Sequence, residues 1–110
     1  MAERYRVEKW SEPYAPNPAP LRKSMEVAGY RVYEWSDRPG TVYDSHKHAE
    51  AQSHRVLSGA IEITVESGRY VLERGDRDFM PANTYHTARV VGDEPVVYLI
   101  GEMESGENSY

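Results

Sequence analysis

The sequence contains no cysteine, and this absence narrows the chemistry open to the chain. Disulfides, zinc–thiolate clusters, iron–sulfur clusters and cysteine nucleophiles are all excluded, because each of them needs a thiol. Any metal ligand must therefore offer nitrogen or oxygen. A chain of 110 residues forms one domain of ordinary size, so any site must lie inside a single core.

Long apolar runs and basic patches are also missing. The first ten residues, MAERYRVEKW, lack the apolar core of a signal peptide, and no run approaches membrane-spanning length. The net charge is -5, and residues 41–110 carry six basic and twelve acidic side chains. This balance disfavours binding to nucleic acids or to anionic membranes. We therefore expect a cytoplasmic protein with neither kind of partner.

Helix-forming segments are scarce. Only residues 21–28, LRKSMEVA, have the composition of a helical turn. Residues 11–20, SEPYAPNPAP, contain four prolines, which predicts an extended arm that is neither helix nor central strand. The gaps between the remaining patterned segments are too short for the amphipathic helices that a βαβ fold requires.

What the chain does contain is a series of short strand patterns. In residues 61–65 isoleucine and valine alternate with polar residues, and Ser67-Gly68 then turns the chain into a second strand over residues 69–73. Further strands are predicted over residues 29–35, 86–91 and 96–102. Strands at intervals of roughly 8 to 12 residues predict an all-β sandwich or barrel.

The histidines are the main functional signal. His46 and His48 stand two apart, so on an extended strand both side chains leave the same face, close enough to share one metal ion. His86 lies much later in the chain, in a segment in which Gly75 and Pro81 precede it. The remaining histidine, His54, lies between them. Histidines confined to these two segments favour a metal site.

Both segments resemble the two conserved motifs of the cupin superfamily. Four residues fit the spacings of the first motif: Gly40, His46, His48 and Gly59. Three fit the second: Gly75, Pro81 and His86. The sequence departs from the family pattern at three positions, with Gln52 in place of the usual glutamate, Asn83 in place of a glycine and Val90 in place of an asparagine.

The resemblance implies a fold and a division of the chain. The expected fold is an all-β cupin double-stranded β-helix, a jelly-roll barrel with one metal ion in its mouth. Residues 29–101 would form the barrel, preceded by a proline-rich N-terminal arm, residues 1–28, and followed by a polar tail, residues 102–110. Family members commonly dimerise through their N-terminal strands, and Trp10 and Tyr14 in this arm favour a homodimer.

The same resemblance implies a ligand set. His46, His48 and His86 would bind one divalent transition metal ion (Zn, Mn, Fe, Ni or Cu) through imidazole nitrogen, with Gln52 as fourth ligand through its amide oxygen. A glutamine cancels none of the charge of the ion, so the site would be more electrophilic than one with glutamate. The usual facial triad for iron is incomplete.

Three further residues have alternative interpretations. Glu50 is a candidate carboxylate ligand or catalytic residue, provided that the chain turns it inward. His54 shares strand parity with Gln52 and is a candidate fifth ligand or general acid or base. Asp78 lies on the same strand face as Met80; we expect a twisted strand to expose it, the alternative being an acid inside the pocket.

Two functions fit these features. The first is a metal-dependent enzyme that acts on a small organic molecule by Lewis-acid stabilisation of an enolate, as an isomerase, cyclase or dioxygenase. The second is a non-catalytic cupin module that senses or binds a small molecule or a metal. The sequence leaves open which of the two applies, because one fold serves many functions.

Overall fold

The computed structural model describes residues 4–103 of the chain. Within this range the backbone forms nine strands and one helix, and the strands pair in antiparallel fashion. The prediction of an all-β fold is confirmed. The elements in chain order are β1 (Arg6–Glu8), α1 (Pro18–Val27), β2 (Arg31–Asp37), β3 (Val42–His46), β4 (Ala51–Ser58), β5 (Ala60–Val65), β6 (Gly68–Leu72), β7 (Arg77–Phe79), β8 (His86–Val91) and β9 (Val96–Met103).

The strands form two sheets that share one core. The five-stranded sheet has the order β1-β7-β4-β9-β2, and the four-stranded sheet has the order β3-β8-β5-β6. Buried side chains of both sheets belong to the same apolar cluster, with Val56 and Tyr98 from the first sheet and Ile61, Ile63 and Val90 from the second. The strands therefore enclose a common interior, as in a barrel.

The alternation in the sequence corresponds to the hairpin of β5 and β6. Ile61, Ile63 and Val65 are only 3, 2 and 8 % exposed, because they point into the core. Val65 stands opposite Gly68 in the register, so the turn lies at residues 66–67, one residue earlier than predicted. The predicted hairpin with one buried face is confirmed.

The prediction that residues 11–20 contain no helix is wrong for their last three residues. Helix α1 begins at Pro18, because prolines in the first turn of a helix lose no hydrogen bond there. The side chain of Asn17 caps this end by accepting a hydrogen bond from the backbone N–H of Ala19, 3.3 Å away. No helix in residues 4–103 is long and apolar enough to cross a membrane.

The described part of the predicted arm packs on the barrel. Strand β1 pairs with β7, and Met25 of α1 is buried against Val32 and Leu99. A Cβ atom at Gly75 would lie 2.2 Å from the ring of Trp10, so this motif glycine makes room for the arm. Strand β9 continues two residues beyond the predicted barrel end at residue 101, and residues 104–110 of the predicted tail lie outside the described range.

The turn before β8 contains a residue with left-handed backbone. Asn83 has a φ of 62°, a conformation that costs most non-glycine residues free energy but that asparagine tolerates. Its backbone N–H donates a hydrogen bond of 2.7 Å to the carbonyl oxygen of His48. The departure from the usual motif glycine therefore preserves the backbone shape, and the turn is bonded to one of the motif histidines.

We predict that Asn83→Ala lowers the free energy of unfolding by about 1 kcal/mol, because the left-handed backbone conformation is sterically less favourable for alanine than for asparagine. Asn83→Gly should leave it within about 0.5 kcal/mol. Urea denaturation of the full chain measures both. Ala82→Gly, at the exposed neighbouring position, is the matched control for general loosening of the turn. Equal stability of Asn83→Ala and wild type would contradict the prediction.

Candidate metal centre

Three histidines converge at one end of the barrel interior. His46 is the last residue of β3, His48 follows it in the connection to β4, and His86 begins β8. One nitrogen from each of the three rings lies within 4.8 Å of the others. The ring centroids of His46 and His86 are 4.2 Å apart, and those of His46 and His48 are 4.8 Å apart. The structure thus brings together the three predicted imidazole ligands.

A bulge in β3 turns His46 inward. Tyr43 pairs with Ala88 and His46 pairs with His86, so three steps along β3 match two steps along β8. Both Tyr43 and His46 line the interior cavity. Regular alternation from Tyr43 would have placed Ser45 inward instead, and the extra residue corrects the direction of the histidine.

Backbone carbonyl groups orient two of the three rings. His46 Nδ1 lies 2.6 Å from the carbonyl oxygen of Asp44, and His86 Nδ1 lies 2.9 Å from that of Thr84. Because a carbonyl oxygen only accepts, Nδ1 must carry the hydrogen in both rings. Each ring therefore has Nε2 available as a metal ligand, a common arrangement around bound metals.

Burial and neighbouring charges favour the neutral form of two of the three imidazoles, because they lower the pKa values of His48 and His86. Burial lowers the pKa of His48, and the neighbouring His46 and His54 lower it further. Burial is also the main cause that lowers the pKa of His86, again helped by the charges of the other histidines. Neutral imidazole is the form that binds metals. The donor set, its spacing and the lowered pKa values of His48 and His86 fit a divalent metal ion.

Gln52 lies beside this cluster in β4. It is 4 % exposed and lines the same cavity as the histidines. Backbone hydrogen bonds of 2.9 and 2.8 Å with Met80 fix its position on the strand. Its amide Nε2 donates a 3.0 Å hydrogen bond to a carboxylate oxygen of Glu102. The amide nitrogen is thereby occupied, so the oxygen is the atom left for a metal.

Glu102 is a member of the site that the sequence reasoning missed. It stands directly opposite Gln52 in the pairing of β4 with β9, and it lines the cavity. Its carboxylate also accepts a hydrogen bond from the hydroxyl of Tyr33 and lies 3.8 Å from the guanidinium of Arg31. The alternation of side chains along a strand could have indicated it. Tyr98, Ile100 and Glu102 are spaced two residues apart on β9, so all three face the same interior.

His54 is the next inward residue of β4 and has a buried acidic partner. Its Nδ1 lies 3.0 Å from Oδ1 of Asp78, which is 0 % exposed. Burial alone would lower the pKa of His54, but the attraction and hydrogen bond of Asp78, with a contribution from Glu102, outweigh burial and raise it. The expectation that Asp78 is exposed is wrong, because His54 and Tyr5 satisfy its carboxylate inside the protein.

Glu50 lies near His48 but outside the cavity wall. It occupies the half-buried bend before β4 and belongs neither to the histidine group nor to the residues that line the cavity. Its predicted role as ligand or catalytic residue stays a prediction.

The cavity that joins these groups has a volume of about 310 Å³. Its polar end carries six side chains: His46, His48, Gln52, His54, His86 and Glu102. The rest of its wall is aromatic or aliphatic: Tyr33, Trp35, Tyr43, Ile61, Ile63, Ala88, Tyr98 and Ile100. Among the residues that the structure describes, neither lysine nor arginine lines it. The arrangement suits a small molecule with an apolar body and a polar end near the histidines.

Asp37 fixes the aromatic part of this wall. Its carboxylate accepts hydrogen bonds from Trp35 Nε1 at 3.2 Å, from the Tyr43 hydroxyl at 2.8 Å and from the Tyr98 hydroxyl at 3.0 Å. Burial and Asp37 both raise the pKa of Tyr43 and of Tyr98, so these hydroxyls remain donors. A wall held in this way is preorganised for a ligand.

The fold and the site define a small β-barrel with a triple-histidine group able to hold a metal ion. A family model described as the cupin domain matches residues 33–101. The chain belongs to the cupin family. The predicted recognition as a cupin superfamily member is confirmed.

Solved structures agree with this assignment. A cupin 2 domain-containing protein from Halorhodospira halophila has a TM-score of 0.66 at 17% identity, covering 94% of this chain and 80% of that one. A DUF861 family protein from Thermotoga maritima has a TM-score of 0.60 at 24% identity, covering 91% and 100%. Both show the fold alone.

A chain from the crystal structures of DMSP lyases is similar at 26% identity, with a TM-score of 0.63. The match covers 74% of this chain but only 42% of that one, so this chain spans less than half the length of that relative. A search of curated proteins gives no significant match.

The pairing of Gln52 with Glu102 leads to a prediction about charge. In Gln52→Glu two carboxylates would face each other in place of a hydrogen bond, so we expect the metal-free protein to lose about 2 kcal/mol in its free energy of unfolding. The double variant Gln52→Glu with Glu102→Gln restores an amide–carboxylate pair with reversed polarity and should recover most of that loss.

Urea denaturation of the chelator-treated protein measures these differences. Glu102→Gln alone is the control, because two amides can still pair. If the double variant is no more stable than Gln52→Glu, the two side chains do not interact as described.

Proposed function

We propose that this cupin is a metal-dependent enzyme that acts on a small organic molecule as an isomerase, cyclase or dioxygenase. The observation that carries the proposal is that the triple-histidine group and His54 share the polar end of one small cavity with Gln52 and Glu102, while the rest of its wall is aromatic or aliphatic. A cavity that contained only metal ligands would suit storage or sensing of the ion. A positioned imidazole beside them adds the means to move a proton.

The metal would be held by His46, His48 and His86, with Gln52 as fourth ligand. We infer one divalent transition metal ion, of a kind that imidazole and amide oxygen accept: Zn, Mn, Fe, Ni or Cu. When bound, the ion would supply Lewis-acid polarisation of a substrate carbonyl and so favour an enolate-like state. None of these four side chains is negatively charged, which leaves the charge of the ion available to the substrate.

His54 is the residue we assign to proton transfer. It lies in the cavity wall outside the group of three, and its side chain is 12 % exposed. Its Nδ1 is occupied by Asp78, so Nε2 is the atom that can take a proton from a substrate carbon and return it. This role needs no rearrangement of the histidine ligands.

The substrate we infer has an apolar body and an oxygen-bearing end. Among the described side chains that line the cavity, Glu102 is the only carboxylate, and no lysine or arginine would pair with a phosphate or a second carboxylate. The volume lies at the lower end of the range for small-molecule sites. The likeness to a chain from DMSP lyases supports chemistry on small organic molecules.

A paired set of variants tests the proposal. We expect the zinc-loaded protein to exchange the α-hydrogen of a small aryl ketone with deuterium oxide, observed by proton NMR. His86→Gln should weaken zinc binding by about 100-fold or more, since one ligand is lost. His54→Gln should keep the metal and slow the exchange by about 100-fold or more, since only the proton-transfer group is lost.

The controls separate the alternatives. Oxygen uptake during turnover by the iron-loaded protein would favour the dioxygenase, since zinc has no redox chemistry, and exchange without oxygen uptake with either ion would favour the isomerase or cyclase. Binding of metal and ketone without any turnover would support the non-catalytic binding module instead. Failure to bind any divalent transition metal after purification and reconstitution would refute the metal-dependent enzyme.

We also propose that the protein is a homodimer formed through the N-terminal arm. Tyr14 is 61 % exposed and packs edge-on against Trp10 at a centroid distance of 5.9 Å, which leaves aromatic surface uncovered. Light scattering of the full chain should give twice the monomer mass, and Tyr14→Ser should weaken the dimer about tenfold or more. Tyr85→Ser is the matched control, because Tyr85 is equally exposed at 62 % but lies elsewhere. A monomer at all concentrations would refute the proposal.

A further inference from the structure

Asp78 is a fully buried carboxylate directly behind His54. Its Oδ1 accepts from the backbone N–H of His54 at 2.7 Å and lies 3.0 Å from Nδ1 of the same residue. Its Oδ2 accepts from the hydroxyl of Tyr5 at 2.8 Å and lies 3.1 Å from the same Nδ1. Within residues 4–103, His54 is the one potential cation that forms an ion pair with it.

A buried carboxylate is costly unless its partners satisfy it, so its presence here calls for a physical reason. An apolar residue beside Met80 would have filled the same space in the core without that cost. What the carboxylate adds is a fixed acceptor for the ring of His54. Because a carboxylate only accepts, Nδ1 must carry the hydrogen, and Nε2 is the atom left to face the cavity.

Tyr5 comes from the arm, immediately before β1. Strand β1 pairs with β7 in a register that places Val7 opposite Asp78, and this pairing brings the Tyr5 hydroxyl to the carboxylate. Tyr5 is 9 % exposed, and its ring packs edge-on against Tyr70 at 5.1 Å. Burial and Asp78 raise the pKa of Tyr5, so its hydroxyl remains a donor. The arm therefore holds the far oxygen of the carboxylate.

We propose that Asp78 and Tyr5 are positioning residues, which hold His54 in the tautomer with hydrogen on Nδ1 and present Nε2 to the cavity. The N-terminal strand β1 thereby contributes to the reaction through a chain of hydrogen bonds from Tyr5 to Asp78 to His54. The proposal rests on the proposed function in one respect, namely that His54 moves the substrate proton.

The tautomer of His54 can be measured apart from any activity. Long-range proton–nitrogen NMR of the 15N-labelled, zinc-loaded full chain, at a pH high enough for the ring to be neutral, should show hydrogen on Nδ1. In Asp78→Asn the amide oxygen can still accept from the backbone N–H of His54, and its NH₂ group then faces Nδ1. Nδ1 lies 3.0 Å from the oxygen that would remain and 3.1 Å from the position of the new NH₂ group. We therefore expect the population of the tautomer with hydrogen on Nδ1 to fall, because a neutral amide oxygen attracts the Nδ1 hydrogen less than a carboxylate does and the NH₂ group competes for the Nδ1 lone pair.

The rate of deuterium exchange should depend on the tautomer of His54. Asp78→Asn should lower kcat for deuterium exchange by about tenfold or more, with KM within about twofold, because Nε2 offers its lone pair in a smaller fraction of the molecules. Tyr5→Phe keeps the ring and removes one hydroxyl, so we expect kcat to fall about three- to tenfold, and the Nδ1 hydrogen of His54 to exchange faster with water. If Asp78→Asn does not fold, Tyr5→Phe still tests the proposal.

Asp76→Asn is the matched control. Asp76 is also buried, at 3 % exposure, and lies two residues away, but it binds the backbone N–H groups of Trp10 and Glu73 rather than His54. It should leave the tautomer unchanged. If Asp78→Asn leaves the tautomer population of His54 unchanged, or if Tyr5→Phe changes neither kcat nor the hydrogen exchange, the positioning proposal is overturned. If the tautomer population shifts but the wild-type protein exchanges no ketone hydrogen, the positioning stands and only the proposed function fails.

Discussion

The register of β4 against β9 is the constraint on which the remaining structure depends. It places Gln52 opposite Glu102, His54 opposite Ile100 and Val56 opposite Tyr98. Because side chains alternate along a strand, a slip of one residue would turn both the polar end of the cavity and the core residue Val56 outward. The burial of Val56 and Tyr98 therefore stabilises the same register that assembles the site, and the apolar core fixes where the polar groups lie.

Local patterns in the sequence were enough to predict much of this arrangement. The alternation around Ile61 and Ile63 predicts a half-buried strand, and the spacing of His46, His48 and His86 predicts a metal site once the family motifs are noticed. Contacts between residues that are far apart in the chain could not be predicted from these local patterns. Glu102 meets Gln52 only through strand pairing, and the burial of Asp78 depends on Tyr5, which is 73 residues away in the chain.

Most polar side chains of the site have a hydrogen-bond partner behind them, and the type of partner differs with the position of the side chain. Backbone carbonyls, which are neutral, hold the rings of His46 and His86, whereas carboxylates hold Gln52 and His54. Negative charge is thus placed one hydrogen bond away from the expected metal ligands instead of among them. The site keeps a neutral ligand set, and its charge is balanced from the surrounding layer.

The two tryptophans stand at two functionally different places. Trp35 forms part of the cavity wall, is 51 % exposed and is bonded to Asp37, while Trp10 covers Gly75 beneath the arm. Indole emission depends on the polarity and quenching groups around each ring. The protein therefore carries its own optical probes, one that senses occupation of the cavity and one that senses the seating of the arm, and replacing either tryptophan isolates the signal of the other.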